Sequence, residues 1–321
     1  MATIRYDGRD LPVAPGESVL DCLLRNEIQV SHSCKAGACQ SCLIRCTSGN
    51  VPASAQFGLK DTLRARGYFL ACSLKPEGDI AVATANNVRV EARITGLDRL
   101  SRSVMRVRLQ TTEPIEYFAG QFVSVFREDG LARSYSLASL PAEGDLELHV
   151  RHIPNGAMSG WLHAEAQLHT SLWLQGPSGS CFYTPGSTDQ PILLAGAGTG
   201  LAPLYGIARD ALYQGHKAPV WLFHGAVTPE GLYLTRELSA LEHEFPNFHY
   251  VRCVLRDSDT PEVEVNELDK SILGKFKSLA GWRGYVCGDP ALVNLLRKKL
   301  FLAGMASKAI FADAFVPSAS V

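Results

Sequence analysis

The sequence predicts a multidomain chain, mixed α+β at its start and α/β at its end, and three observations carry that expectation. The length, 321 residues, exceeds what one core usually serves and argues for two or three domains of about 100–150 residues each. The hydrophobic pattern changes twice, from a cysteine-rich block to short alternating strands, then to continuous apolar strands separated by helical periods. The cysteines are uneven: six of the nine lie within the first 72 residues.

Hydrophobic residues at 46% and charged residues at 20% exclude wholesale disorder. A net charge of −1 argues against nucleic acid as a partner, because no basic surplus exists to neutralise phosphates. The longest uncharged stretch, Pro191 to Ala208, contains four glycines and two prolines, so it reads as strand, loop and helix, and no membrane partner is expected. No apolar leader follows Met1. A cytoplasmic chain with reduced thiols, rather than a disulfide framework, is therefore expected.

Residues 1–85 open with an alternating strand (Ala2 to Leu11), then a helical pattern at Val19, Leu20, Leu23 and Leu24, and close with a strand from Ile80 to Ala83. Thr84-Ala85-Asn86-Asn87 reads as a linker. Between them Cys34, Cys39 and Cys42 follow a C-x4-C-x2-C spacing, and 29 residues separate Cys42 from Cys72. That is the plant-type [2Fe–2S] ligand pattern, three thiolates from one loop and a fourth from a distant segment. Such a loop must turn its N–H groups toward sulfur, and Ala36, Gly37, Ala38 and Ser41 are small enough to permit it. Zinc is the rival reading, but structural zinc favours paired shorter spacings. Cys46 lies on the following apolar run and reads as a small buried hydrophobe, with a ligand role as the minor alternative.

Residues 1–85 resemble a plant-type ferredoxin module, both in the run from Cys34 to Cys42 and in Phe69-Leu70-Ala71-Cys72-Ser73. The resemblance implies a β-grasp-like fold. Lys35 and Gln40 stand where that family usually has Arg and Gly; neither is a ligand, so the cluster reading holds. The block carries nine basic and eight acidic residues, unlike the acidic photosynthetic ferredoxins.

From residue 88 to 187 the strands are short: Val88 to Ile94, Val104 to Leu109, Gln121 to Phe126 and Leu146 to Val150. Their spacing predicts a small antiparallel barrel, six-stranded by resemblance. Arg133-Ser134-Tyr135-Ser136 offers a cation, hydroxyls and a flat aromatic, the groups a flavin dinucleotide needs. His149-Val150-Arg151 follows, then Gly156-Ala157-Met158-Ser159 opening a helix whose backbone N–H groups suit an anion. In this order these segments resemble the FAD-binding barrel of the ferredoxin–NADP reductase superfamily.

From 188 to 321, apolar strands (Ile192 to Ala195, Val220 to Phe223, His249 to Leu255, Tyr285 to Cys287, Ala309 to Phe311) alternate with helices (Leu201 to Tyr213, Leu232 to His243, Pro290 to Leu302). That alternation predicts a doubly wound parallel sheet. Gly196, Gly198, Thr199 and Gly200 form a turn where backbone can approach a pyrophosphate. Their G-x-G-x-G spacing departs from the dehydrogenase fingerprint G-x-G-x-x-G. Cys287-Gly288-Asp289 ends another parallel strand, where ligands collect. Glu230, beyond the second strand, suits a ribose hydroxyl and repels a phosphate, which predicts NADH over NADPH, although His224 could assist a phosphate. Both segments resemble the superfamily's nucleotide domain, in which that cysteine approaches the nicotinamide. Phe315 resembles the terminal aromatic that covers the flavin.

The resemblance thus spans the chain and identifies it as a member of the reductases that join a [2Fe–2S] ferredoxin to an FAD barrel and an NAD domain. It implies electron flow from NADH through FAD and the cluster to a terminal oxygenase, aromatic-ring hydroxylating systems included. Two alternatives stay open: a reductase for a deoxysugar-forming iron–sulfur enzyme, and an iron–sulfur redox sensor.

Overall fold

Asp7 and Gly8 adopt φ of 48° and 72°, the two left-handed conformations that a tight two-residue hairpin requires. The segment expected as a single strand is therefore a hairpin of β1 (Thr3–Tyr6) and β2 (Arg9–Pro12). The fold comes from a computed structural model that describes residues 2–30, 32, 35, 37, 42–84, 89–185, 188–257 and 259–315. It gathers the chain into two compact units, Met1–Val88 and Arg89–Val321. Among the described residues, no helix is long and apolar enough to cross a membrane.

In the first unit, α1 (Val19–Arg25), β3 (Leu43–Ser48), α2 (Asp61–Ala65), β4 (Tyr68–Leu70) and β5 (Ile80–Thr84) follow the hairpin. The sheet order is β2-β1-β5-β3-β4, with β1 and β5 parallel and the other pairs antiparallel. Ser18 caps α1, its hydroxyl accepting the Asp21 N–H at 3.1 Å. The helix buries Val19, Leu20, Cys22 and Leu23 against Ile4, Ile44, Phe69 and Val82. This one-helix-on-mixed-sheet core is what anchors β3 and the Cys72 turn.

In the second unit come β6 (Val90–Arg99), β7 (Val104–Thr111), β8 (Phe122–Phe126), β9 (Ala132–Ser136), β10 (Leu146–Arg151), α3 (Ala157–Ala164) and β11 (Ser171–Ser178). They form an antiparallel sheet ordered β10-β7-β6-β11-β8-β9. A bridge between Leu137 and Leu148 joins its two ends, so the sheet curls around Ile94, Val107, Val123 and Leu172.

The chain continues through β12 (Ile192–Ala197), α4 (Leu201–Tyr213), β13 (Val220–Ala226), α5 (Thr235–Glu244), β14 (Phe248–Val254), β15 (Val263–Val265), α6 (Leu268–Lys275), β16 (Arg283–Gly288), α7 (Pro290–Leu302) and β17 (Ile310–Ala314). The sheet is ordered β15-β14-β13-β12-β16-β17, and every pair is parallel. The order reverses between β12 and β16, and in open α/β sheets the crevice at that reversal collects ligands. Barrel and parallel sheet share a core in which Val104, Ala138, Cys181 and Tyr183 pack with Ile207, Leu212 and Tyr285. Across it the buried Arg209 donates to the Ala138 carbonyl at 2.6 Å and pairs with Glu143.

Candidate functional site

The turn after β12 and the end of β16 meet at the sheet's reversal point, and glycine is what lets them meet. A methyl group at Gly196 would lie 2.7 Å from the Cys287 carbonyl oxygen and 2.8 Å from Leu204 Cδ1. One at Gly200 would lie 2.8 Å from the Cys287 carbonyl carbon and 3.0 Å from Gly288 Cα. Both glycines therefore serve packing. Gly198 differs: its φ is +54° and nothing lies within 4 Å of a methyl placed there, so its backbone borders open space where a phosphate can approach. Thr199 sits beside it, half-buried.

Cys287 is fully buried at the crevice floor. Its sulfur lies 3.7 Å from Cys181 Sγ, and burial pushes its thiol well above the ordinary range. Asp313, opposite Cys287 on β17, accepts the Ser136 hydroxyl at 2.9 Å. Burial raises its carboxyl pKa, against the opposing pull of Ser136. Phe315 continues the strand, its N–H donating to Gly288 O at 2.8 Å. Asp289 caps α7 by accepting the Ala291 N–H at 2.8 Å. The crevice thus joins Ser136, Cys181, Cys287, Asp313 and Phe315.

On β9, Arg133 and Tyr135 alternate with Ser134 and Ser136, so each pair shares a face. Arg133 donates to the Ala132 carbonyl at 2.7 Å and has no carboxylate partner among the described residues, which leaves its charge for an anion. Tyr135 packs on the barrel core, and burial pushes its hydroxyl pKa far up. Ser134 faces Ser124 across the ladder at 3.2 Å. Arg151 is exposed at the end of β10, while Val150 is buried in the barrel. Gly156 precedes α3, Ala157 is exposed and Met158 is buried. The Ser159 hydroxyl accepts the Ile153 N–H at 3.1 Å and donates to Gly156 O at 3.3 Å; its side chain holds the turn while the helix N–H groups stay available.

His149 lies elsewhere. Its Nδ1 is 3.1 Å from the Tyr233 hydroxyl and its Nε2 is 2.8 Å from Glu147, so both ring nitrogens are engaged in a buried network between barrel and sheet. His224 is likewise buried, with Nδ1 3.0 Å from the Tyr250 hydroxyl. Desolvation, then His149, lowers its pKa to about 3, so it is neutral and does not serve a 2′-phosphate. Glu230 is exposed on the turn after β13, and a hydrogen bond from Thr228 lowers its pKa.

Two residues of the crevice and one beside the turn after β13 escaped the sequence reading. Asp313 is an acid on an otherwise apolar strand, and that break in pattern was its only signal. Cys181 reads locally as a core residue. Arg256 follows the end of a different strand: its backbone N–H donates to Val227 O at 3.2 Å, while its guanidinium lies 3.6 Å from the Asp257 carboxylate.

In the first unit, Cys42 and Cys72 converge with 3.3 Å between sulfurs. Two thiolates on one tetrahedral metal at about 2.3 Å would span roughly 3.7 Å, so the pair fits a shared iron. Burial chiefly raises the Cys42 pKa, to about 11. The Ala71 N–H donates to Cys42 O at 3.0 Å, and a methyl at Gly37 would lie 2.7 Å from Ser73 Oγ. Gly37 and Cys42 therefore both lie against the Cys72 turn. Cys34 and Cys39 lie outside the described residues. Cys46 is half-buried on β3, its sulfur 3.3 Å from Ser48 O.

Three family models match the chain. A 2Fe-2S iron-sulfur cluster binding domain matches residues 3–77, an oxidoreductase FAD-binding domain residues 91–183, and an oxidoreductase NAD-binding domain residues 194–298. The chain is 31% identical to the ferredoxin–NAD(P)(+) reductase component of the naphthalene 1,2-dioxygenase/salicylate 5-hydroxylase systems of Ralstonia sp, over 94% of each. It is 34% identical to the reductase subunit of an aromatic O-demethylase of Amycolatopsis sp., over 98% of each. It is 29% identical to a CDP-6-deoxy-L-threo-D-glycero-4-hexulose-3-dehydrase reductase of Yersinia pestis, over 94% of each. Among solved structures, the reductase of an Amycolatopsis cytochrome P450 superposes with a TM-score of 0.69 at 31% identity over 99% of both chains.

Proposed function

Because this chain belongs to the family of ferredoxin–NAD(P) reductases that carry a [2Fe–2S] domain with FAD- and NAD-binding domains, we propose that it is the reductase component of a multicomponent oxygenase. It takes electrons from NADH and delivers them to a separate terminal oxygenase acting on an aromatic substrate. One observation carries this reading: the likeness to such components runs the full length of both chains, cluster domain included. The chain is organised as a ferredoxin domain (1–85), an FAD barrel (88–187) and an NAD domain (188–321). We place it in the cytoplasm, where NADH is available and thiols stay reduced.

When bound, FAD exchanges a hydride pair for single electrons and the cluster carries them singly. The residues divide the remaining work. Arg133, Arg151 and the N–H groups from Ala157 to Ser159, with Gly156 shaping the approach to them, hold the dinucleotide phosphates, and Tyr135 with Ser134 and Ser136 lines the ring. The turn Gly196 to Gly200 brings backbone N–H groups to the pyrophosphate of NADH, and Glu230 accepts a ribose hydroxyl. Cys287, with Gly288 and Asp289, meets the nicotinamide. Ser136 and Asp313 Oδ2 hold a proton at the crevice floor, and burial keeps that carboxyl ready to retain it. Phe315 shields the crevice from water. Cys34, Cys39, Cys42 and Cys72 ligate the irons.

A Cys72→Ser variant tests the route, since a serine oxygen replaces thiolate poorly on iron. NADH oxidation with ferricyanide, which takes electrons from flavin, stays near wild type, while turnover of a purified aromatic-ring oxygenase collapses. Normal oxygenase turnover would remove the cluster from the path. The Yersinia relative favours a second reading, a reductase for a deoxysugar-forming iron–sulfur enzyme; reduction of that enzyme class in preference to the oxygenase would establish it.

A further inference from the structure

We propose that Cys181 is a positioning residue for the Cys287 thiol: its sulfur accepts the Cys287 S–H and fixes the direction in which that thiol points. The inference rests on Cys287 facing the nicotinamide. Cys181 lies in the segment that leaves the barrel after β11, and Cys287 lies at the end of β16, so the pair spans the junction between barrel and parallel sheet. Their sulfurs are 3.7 Å apart, and both residues are buried, at 3% and 0% exposure. Thiol S–H is a weak donor and sulfur a weak acceptor. The 3.7 Å contact puts Cys181 Sγ within hydrogen-bond reach of the Cys287 thiol, and the donor role is assigned to Cys287.

Cys181 is itself held. The next carbonyl, Phe182 O, accepts the Tyr285 hydroxyl at 3.1 Å, and Tyr285 stands two residues before Cys287 on β16. The Phe182 ring stacks on Phe118 with centroids 4.8 Å apart. The acceptor is thus fixed to the same strand that carries the donor. A thiol rotates freely about its C–S bond unless a partner stops it, and a rotating thiol presents hydrogen or lone pair to the crevice at random. Cys181 removes that freedom.

The test separates hydrogen bonding from packing by comparing Cys181→Val, which fills the space without an acceptor, with Cys181→Ser, which keeps one. Infrared difference spectra of nucleotide-free protein, each background minus its Cys287→Ala derivative, isolate the Cys287 S–H stretch. In Cys181→Val the band moves to higher frequency, and in Cys181→Ser it stays low. In stopped flow, the rate of flavin reduction by NADH falls roughly 5- to 20-fold in Cys181→Val, a fraction of the hundredfold that a 1 Å misplacement brings, and recovers in Cys181→Ser. An unmoved S–H band in Cys181→Val overturns the proposal whatever the rates do. A shifted band with Cys287→Ala itself reducing at the wild-type rate sinks the assignment of Cys287 to the nicotinamide while leaving the contact established.

Discussion

Replacing Gly200 with alanine separates two explanations of the glycine run at the crevice. Gly200 has φ of −57°, which any residue adopts, so the substitution brings no backbone strain. It does bring a collision. The added methyl would stand 2.8 Å from the Cys287 carbonyl carbon and 3.0 Å from Gly288 Cα, where carbon atoms sit comfortably at about 3.5–4.0 Å. The obstacle is backbone, so β16 or the turn must move by roughly 0.5–1 Å, and overpacking of this kind costs about 1–3 kcal/mol. For a unit of this size each kcal/mol lowers Tm by roughly 2–4 °C. A displaced Cys287 end also misplaces the hydride site, and a 1 Å error can cost about 100-fold in rate. We expect Gly200→Ala to melt several degrees lower and to reduce ferricyanide with NADH about 10- to 100-fold more slowly. Gly198→Ala is the control. Its φ of +54° makes it strained by about 1–2 kcal/mol, but with nothing within 4 Å it leaves Cys287 in place, so kcat is kept while KM for NADH rises as the methyl enters the space a phosphate approaches. Calorimetry and steady-state kinetics of the two variants decide the matter. Wild-type melting and wild-type kcat in Gly200→Ala would refute the packing argument.

Three further outcomes follow from the crevice and the network behind it. Tyr233→Phe removes the hydroxyl 3.1 Å from His149 Nδ1 and leaves a buried nitrogen unpaired, so chemical denaturation should show about 1–3 kcal/mol lost with FAD content unchanged. Asp313 has its pKa raised by burial, so the unfolded chain releases that proton first as pH rises. The stability present below the ordinary carboxylate pKa is lost as pH climbs toward the raised one. Asp313→Asn escapes that loss, and its advantage in Tm over wild type should widen as pH rises above the ordinary carboxylate range and level off above the raised pKa; a constant difference would contradict the assignment. Glu230, exposed on the turn after β13, opposes a 2′-phosphate. Wild type should favour NADH, and Glu230→Gln should narrow that preference over NADPH by roughly tenfold, the worth of one charge-assisted hydrogen bond; an unchanged ratio would contradict the role of Glu230.

Periodicity made the parallel sheet readable because β12, β13 and β16 are buried on both faces and appear as unbroken apolar runs. The short strand β15 and the helix α6 were missed, since Val263–Val265 has no apolar run to announce it. The Asp7-Gly8 hairpin was present as a signal and was overlooked in favour of alternation. Among site residues, local motifs carried Cys42, Cys72, Arg133 and Gly198, whose chemistry depends on neighbours in sequence. Cys181, Asp313 and Arg256 depend on pairings between distant segments, 106 residues apart for the two cysteines and 177 for Ser136 with Asp313. No local pattern encodes these. The reverse holds for His149, whose place in a motif said nothing of Glu147 and Tyr233 taking both of its nitrogens.

The central claim is that electrons from NADH reach the cluster through this one chain. Low-temperature electron paramagnetic resonance of the full-length protein, frozen after anaerobic addition of stoichiometric NADH, measures that arrival. The account predicts the rhombic signal of a reduced [2Fe–2S] centre in step with bleaching of the flavin absorbance. Bleached flavin with an iron centre that stays silent, at any NADH excess, would contradict it.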